Sequence, residues 1–155
     1  MNVRKAEHND IPAIIDLFVN TIKSVNSRDY SLLQISTWYS TGKNADLWKR
    51  KMGIQYFIVI EIDSVLVGFA SIAPDGFLDF MYVHKDYQGK GIARELLKNI
   101  EEKAREQKND KVYSFVSITA KPFFLKSGYR ITAEKRRIVN DVEFINSVME
   151  KSLLK

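Results

Sequence analysis

The residues with the clearest chemical meaning are Gln88-Gly89-Lys90-Gly91 and, shortly after them, Arg94. They stand between an apolar run, "FLDFMYV" at 77–83, and a stretch whose residues Ile92, Ala93, Leu96, Leu97, Ile100 and Ala104 recur at helical spacing. The first amides of a helix have no intrahelical partner, and its dipole places partial positive charge there. Glycines at 89 and 91 remove the side chains that would keep a ligand off those amides, while Lys90 and Arg94 add charge. Such an arrangement cradles phosphate. Taken locally, the alternative is a strand-to-helix turn that uses glycine for geometry alone. The stretch is neither a Walker loop nor a dinucleotide fingerprint, since the lysine and glycine spacings of both are absent.

Asp79 is the second candidate. A carboxylate inside an otherwise apolar strand is costly to bury unless it is paired, hydrated or used. Its reading as a general base stands beside the plainer one, a polar residue facing solvent at a sheet edge. His84 is a rival base, although its place at the start of the loop fits a surface histidine. The chain has no cysteine, which excludes disulfides, thiolate metal sites and a cysteine nucleophile. Its two histidines, His8 and His84, are far apart in sequence, so no metal is expected.

The elements that must position these residues follow from periodicity and turn chemistry. "VRKAE" reads as a first strand; Asp10 offers an N-cap, Pro12 a first turn, and Ile11, Ile14, Ile15, Phe18 and Ile22 an apolar helix face. Ser31 caps a second helix and Asn44 a short helical piece through Trp48, in a segment bounded by Gly42 and Gly53. "QYFIVIEI" and "VLVGFASI" form a hairpin about Asp63-Ser64. "APDG" turns into "FLDFMYV", then come the long helix from Ile92, a strand "KVYSFVS", a short helix "KPFFLKSG", and a last hairpin about Asn140-Asp141. The expected order is β-α-α-β-β-β-α-β-α-β-β, a mixed α/β sheet in a single domain over 1–155.

At 155 residues, 45% apolar and 28% charged, the chain has an ordinary globular balance. It has no run long enough to span a membrane, and "MNVRKAEHND" lacks the apolar core of a signal peptide, so a cytoplasmic protein is expected. The net charge of +5 suits anionic partners. The charges do not gather on one helix and no nucleic-acid motif is present, so nucleic acid is not an expected partner.

"MYVHKDYQGKGIA" resembles the pyrophosphate loop of the GNAT superfamily of acetyl-coenzyme A-dependent N-acyltransferases, whose Gln/Arg-x-x-Gly-x-Gly/Ala pattern reads here as Gln88, Gly91 and Ala93. "SITAKPFFLKSGY" resembles the family's second signature through Ala120, Phe123, Gly128 and Tyr129. The resemblance implies a GNAT-like fold with a mostly antiparallel, V-shaped sheet. It implies acetyl-coenzyme A held by Met81, Tyr82, Val83, Gln88, Gly89, Lys90, Gly91, Ile92, Ala93, Arg94, Ser117, Phe123, Phe124 and Lys126, with backbone groups of Met81, Tyr82 and Val83 bonding the pantetheine. It implies direct transfer to an amine acceptor, Asp79 being the candidate catalytic base. Two positions depart from the pattern. Ser117 replaces the usual Asn, and Phe124 replaces the Tyr that commonly protonates the leaving thiolate; Tyr129, Tyr113, Ser117 or water are the substitutes. The aromatics Tyr30, Trp38, Tyr39 and Trp48 line the acceptor side or pack on the sheet. A catalytically weak acyl-coenzyme A-binding regulatory module is the alternative function, and the oligomeric state stays open, a homodimer included.

Overall fold

In the computed structural model, which describes residues 1–154, β1 (Asn2–Lys5), β2 (Tyr56–Ile62), β3 (Val65–Ile72) and β4 (Leu78–Val83) form one sheet in that order, antiparallel throughout. The β2–β3 turn places Asp63 and Ser64 at φ of 50° and 66°, the pair of left-handed residues that a two-residue hairpin requires. β5 (Lys111–Val116), β6 (Arg130–Val139) and β7 (Val142–Ser152) make a second sheet ordered β5-β7-β6. Asn140 and Asp141, at φ of 49° and 64°, turn β6 into β7 in the same way.

The two sheets touch at one end only. Phe77 and Tyr113 form a lone parallel bridge, the Tyr113 amide donates to Gly76 O at 3.1 Å, and Ser114 Oγ donates to Leu78 O at 2.8 Å. Beyond these bonds β4 and β5 do not pair, so their backbones splay and leave an opening between them. The expected V-shaped, mostly antiparallel sheet is what the chain forms.

Helices cover both faces. α1 (Ile11–Ser24), α2 (Leu32–Ser40) and α3 (Ala45–Ile54) lie on one side, α4 (Ile92–Glu106) on the other, and α5 (Lys121–Lys126) follows β5. Alternation along β2 sorts the core: Phe57 and Val59 pack with Phe18 and Trp48, while Ile58 and Ile60 pack with Leu96 and Ile100. Ser31 caps α2 in a reciprocal box with Gln34, and Asn44 Oδ1 caps α3 through the Asp46 amide at 2.8 Å.

Three sequence expectations need correction. α3 continues through Gly53 to Ile54, because Met52 still packs on the aromatic core and Gly53 has open space around it. Three helices therefore precede β2. β1 ends at Lys5, and Asp10 does not cap α1 with its side chain; its carboxylate accepts the Glu7 amide at 2.7 Å and both terminal nitrogens of Arg4. Arg4 also pairs with Glu61, so a small ion network pins β1 to β2 and to the entry of α1.

Candidate active site

The glycine loop takes the conformation that its composition demands. Gly89 and Gly91 sit at φ of 71° and 81°, where side-chain-bearing residues are strained, and a Cβ at either would meet nothing within 4 Å. The space next to them is open, as a ligand-binding loop requires. Gly91 is the N-cap of α4, whose first intrahelical bond runs from the Glu95 amide to Gly91 O at 3.1 Å; the amides of Ile92, Ala93 and Arg94 stay free at the helix start. Gly68 on β3 seats that start close to the sheet: a Cβ there would come within 2.8 Å of Ile92 Cγ2.

A cavity of about 760 Å³ runs from this loop along the splay between β4 and β5. Among its walls are Met81, Tyr82, Val83, Gln88, Gly89, Gly91, Ile92, Ala93, Arg94, Ser117, Phe123 and Phe124. Lys90 and Lys126 stand outside it as exposed side chains, with Lys90 Nζ 5.7 Å from the Tyr87 ring centre. The His84 amide donates to Val67 O across β3 and β4 at 2.8 Å. By the alternation of an antiparallel ladder, the backbone groups of Tyr82 then face β3, and those of Met81 and Val83 face the splay. The expectation that all three bond a pantetheine narrows to two. Even there the Val83 carbonyl is occupied, accepting Thr21 Oγ1 at 2.9 Å and Gln88 Nε2 at 2.8 Å. Gln88 thus ties the loop to the strand end rather than offering its amide nitrogen to a ligand.

Asp79 lines the same cavity. The pairing of β3 with β4 jumps from Ser71–Phe80 to Ile72–Leu78, so Asp79 is the extra residue of a β-bulge. Bulges re-aim a side chain and are frequent beside active sites. Oδ2 of Asp79 accepts Lys51 Nζ and Gln55 Nε2, both at 2.8 Å, and Gln55 Oε1 accepts Ser71 Oγ at 2.8 Å. The solvent-facing edge residue allowed by the sequence is therefore excluded: this carboxylate is mostly buried and paired. His84 is not beside it. Its Nδ1 accepts the Asp86 amide at 3.0 Å and caps a short turn outside the cavity.

The proposed proton donors divide. Tyr129 is 3% exposed and donates to Glu101 Oε2 at 2.8 Å; burial, with the carboxylate's charge, raises its pKa far above that of a free phenol. Tyr113 donates to Asp75 Oδ2 at 2.6 Å, which pushes its pKa up to about 12. Neither lines the cavity, so both leave the list of donors. Ser117 remains at the wall, its Oγ accepting the Ala120 amide at 3.1 Å. Phe124 is buried against Tyr129 and Phe123 and reaches the cavity with a hydrocarbon edge.

Of the four aromatics, Trp48 is core, fully buried with Nε1 donating to Gly42 O at 2.8 Å. Tyr39 lies between Lys23 and Lys43, away from the cavity. Tyr30 accepts the Ile118 amide at 2.9 Å and packs on Trp38, which does line the cavity. Sequence reasoning missed Phe144, Arg137, Val139 and Asn146, walls contributed by the β6–β7 hairpin. The strand alternation groups them on one face, but nothing in the sequence says that this face meets α2. It also missed Lys51, in the last turn of α3, and Gln55, the extended residue just after that helix.

A model of the acetyltransferase (GNAT) domain matches residues 26–153. The chain is 28% identical over 149 residues to the uncharacterized N-acetyltransferase YafP of Escherichia coli (strain K12), covering 96% of this chain and 94% of that one. Among solved structures it resembles a GCN5-related N-acetyltransferase of Rhodopseudomonas palustris, with a TM-score of 0.94 at 28% identity over 98% of this chain and 95% of that one. A PaiA N-acetyltransferase of Thermoplasma acidophilum, solved in complex with coenzyme A, shares the fold with a TM-score of 0.77 at 23% identity over 97% and 98% of the two chains. Family match, helix-start cradle and splayed strands agree, and the chain belongs to the GNAT acetyltransferase family.

Proposed function

We propose that this protein, as one domain, transfers the acetyl group of acetyl-coenzyme A to a primary amine by direct attack. The observation that carries this reading is the single cavity joining the free amides of α4, the outward backbone of Met81 and Val83, and the Asp79 carboxylate. The PaiA relative's complex with coenzyme A supports it. Phosphates bind at the α4 start with Arg94, and the pantetheine lies along β4 as an added strand, held by Met81 and by the Val83 amide.

An amine of pKa ~10.4 is neutral in only about one molecule per thousand near pH 7.4. Asp79 takes its proton, directly or through a water. The nitrogen lone pair then attacks the thioester carbon; the C–N bond forms, the nitrogen sheds its second proton to water, the C–S bond breaks, and the sulfur leaves with the electron pair. Outward amides of β4 stabilise the charge that develops on the carbonyl oxygen. With Phe124 unable to donate a proton, the thiolate leaves as an anion or takes one from Ser117 or water, which a thiol pKa of ~8.5 permits.

The second reading is an acyl-coenzyme A-binding module without efficient transfer, favoured by Phe124. Calorimetry with acetyl-coenzyme A, followed by thiol release with a panel of amines, separates the two. Binding with turnover is expected. Binding without turnover of any amine selects the module, and no binding removes both.

A further inference from the structure

We infer that the acceptor is a small amine that also bears a carboxylate, and that Arg137, aided by Asn146, holds this carboxylate while the amine faces Asp79. The inference rests on the acetyltransfer reading above and adds the substrate class.

The charges of the cavity carry the argument. Its charged lining residues are Lys51, Asp79, Arg94 and Arg137. Arg94 belongs to the α4 start, where the phosphates are accounted for. Asp79 and Lys51 face each other at 2.8 Å and cancel. Arg137 is left. Among the described residues it has no carboxylate partner, whereas its neighbour Arg136 points to the other face and pairs with Glu143 at 3.1 Å. In the β6–β7 ladder Arg137 stands opposite Phe144, and Lys135 opposite Asn146, so Arg137, Phe144 and Asn146 share the inward face. Phe144 packs edge-on against Trp38, with ring centres 6.3 Å apart, which fixes that face against α2. Asp79, Tyr82 and Arg137 all line the same cavity, so the two charged groups serve one compartment.

A polycation such as a polyamine or an aminoglycoside needs unpaired carboxylates. The lining offers none, and its one unpaired side-chain charge on the acceptor side is positive. An amino acid matches it: the guanidinium fork takes the carboxylate in two parallel hydrogen bonds, which turns the amine toward Asp79. Trp38 and Phe144 supply the apolar surface between them.

The test uses matched pairs of acceptors, each an amino acid and the amine formed by its decarboxylation, together with spermidine, at saturating acetyl-coenzyme A. The parent protein should favour the carboxylate-bearing member of a pair by roughly 10-fold or more in kcat/KM. Arg137→Ala should lower kcat/KM for that member by roughly 10- to 100-fold, mainly through KM. Arg137→Glu should invert the order within the pair, and Arg137→Lys, which keeps charge without the fork, should fall between parent and Ala. Calorimetry with acetyl-coenzyme A reports that each variant is folded; if the Ala variant is not, the Glu and Lys variants decide. Preference for spermidine, or a ratio within pairs that no variant alters, overturns the inference while leaving acetyl transfer in place. Loss of turnover with every amine in the parent overturns the transfer reading and this inference with it.

Discussion

Asp79 reaches the cavity because it is bulged from β4, and Lys51 with Gln55 holds it there. The substitution that separates chemistry from scaffolding is Asp79→Asn, which keeps the shape and an oxygen acceptor for both donors. If the carboxylate takes the amine's proton, the maximal rate should fall by roughly 10²-fold or more. Acetyl-coenzyme A affinity should stay parental, since the pantetheine contacts come from backbone groups. The deficit should shrink as pH rises and more of the amine arrives neutral. Full rate at neutral pH in the variant would remove Asp79 from the mechanism.

At the scale of elements, the start of α4 depends on two glycines for different reasons. Gly91 needs its positive φ and borders open space, so Gly91→Val should weaken acetyl-coenzyme A binding sharply by strain and by bulk within the cradle. Gly68 lets α4 approach β3, and Gly68→Ala would drive a Cβ into Ile92; a loss of about 1–3 kcal/mol in urea unfolding should accompany weaker binding. The junction of β1, β2 and α1 is sensitive to acid. Hydrogen bonds from Arg4 hold the Asp10 pKa below the ordinary carboxylate value. A depressed folded-state pKa contributes stability that is complete above the unfolded value and is lost as pH falls through the folded one. Asp10→Asn should therefore cost about 1–3 kcal/mol at neutral pH, a difference that persists down to about pH 4 and closes below it. Urea midpoints measured across that range check the sign.

Over the whole molecule, charge acts as a field around the cavity rather than as further contacts. The chain carries +5, and Lys90 and Arg94 flank the helix start. Acetyl-coenzyme A brings about four negative charges, each phosphate acting as a strong acceptor. Affinity should decline as ionic strength rises. Lys90 stands exposed outside the cavity, so Lys90→Ala should weaken binding several-fold at low salt and flatten the salt dependence. Unchanged affinity at every ionic strength would mean that the lysine plays no part. Among the described residues no helix is long and apolar enough to cross a membrane.

Read alone, the sequence determined whatever depends on near neighbours. The hairpins at Asp63-Ser64 and Asn140-Asp141, the caps at Ser31 and Asn44, and the glycine-loop entry to α4 rest on dihedral preferences and unpaired amides within a few residues. The backbone geometry of the glycine loop was legible for that reason. The wrong end of α3 and the misplaced role of Asp10 show where local signals yield: Met52 gained a distant core, and Asp10 a distant arginine. Only the tertiary structure decided the partners of Asp79, one of them Lys51, 28 residues away. It alone committed the Tyr129 and Tyr113 hydroxyls to carboxylates, and it alone turned the Arg137 face of a solvent-washed hairpin toward the cavity. Such contacts are set by how the two sheets splay and how the helices pack across them, and the spacing of residues along the chain carries no record of that.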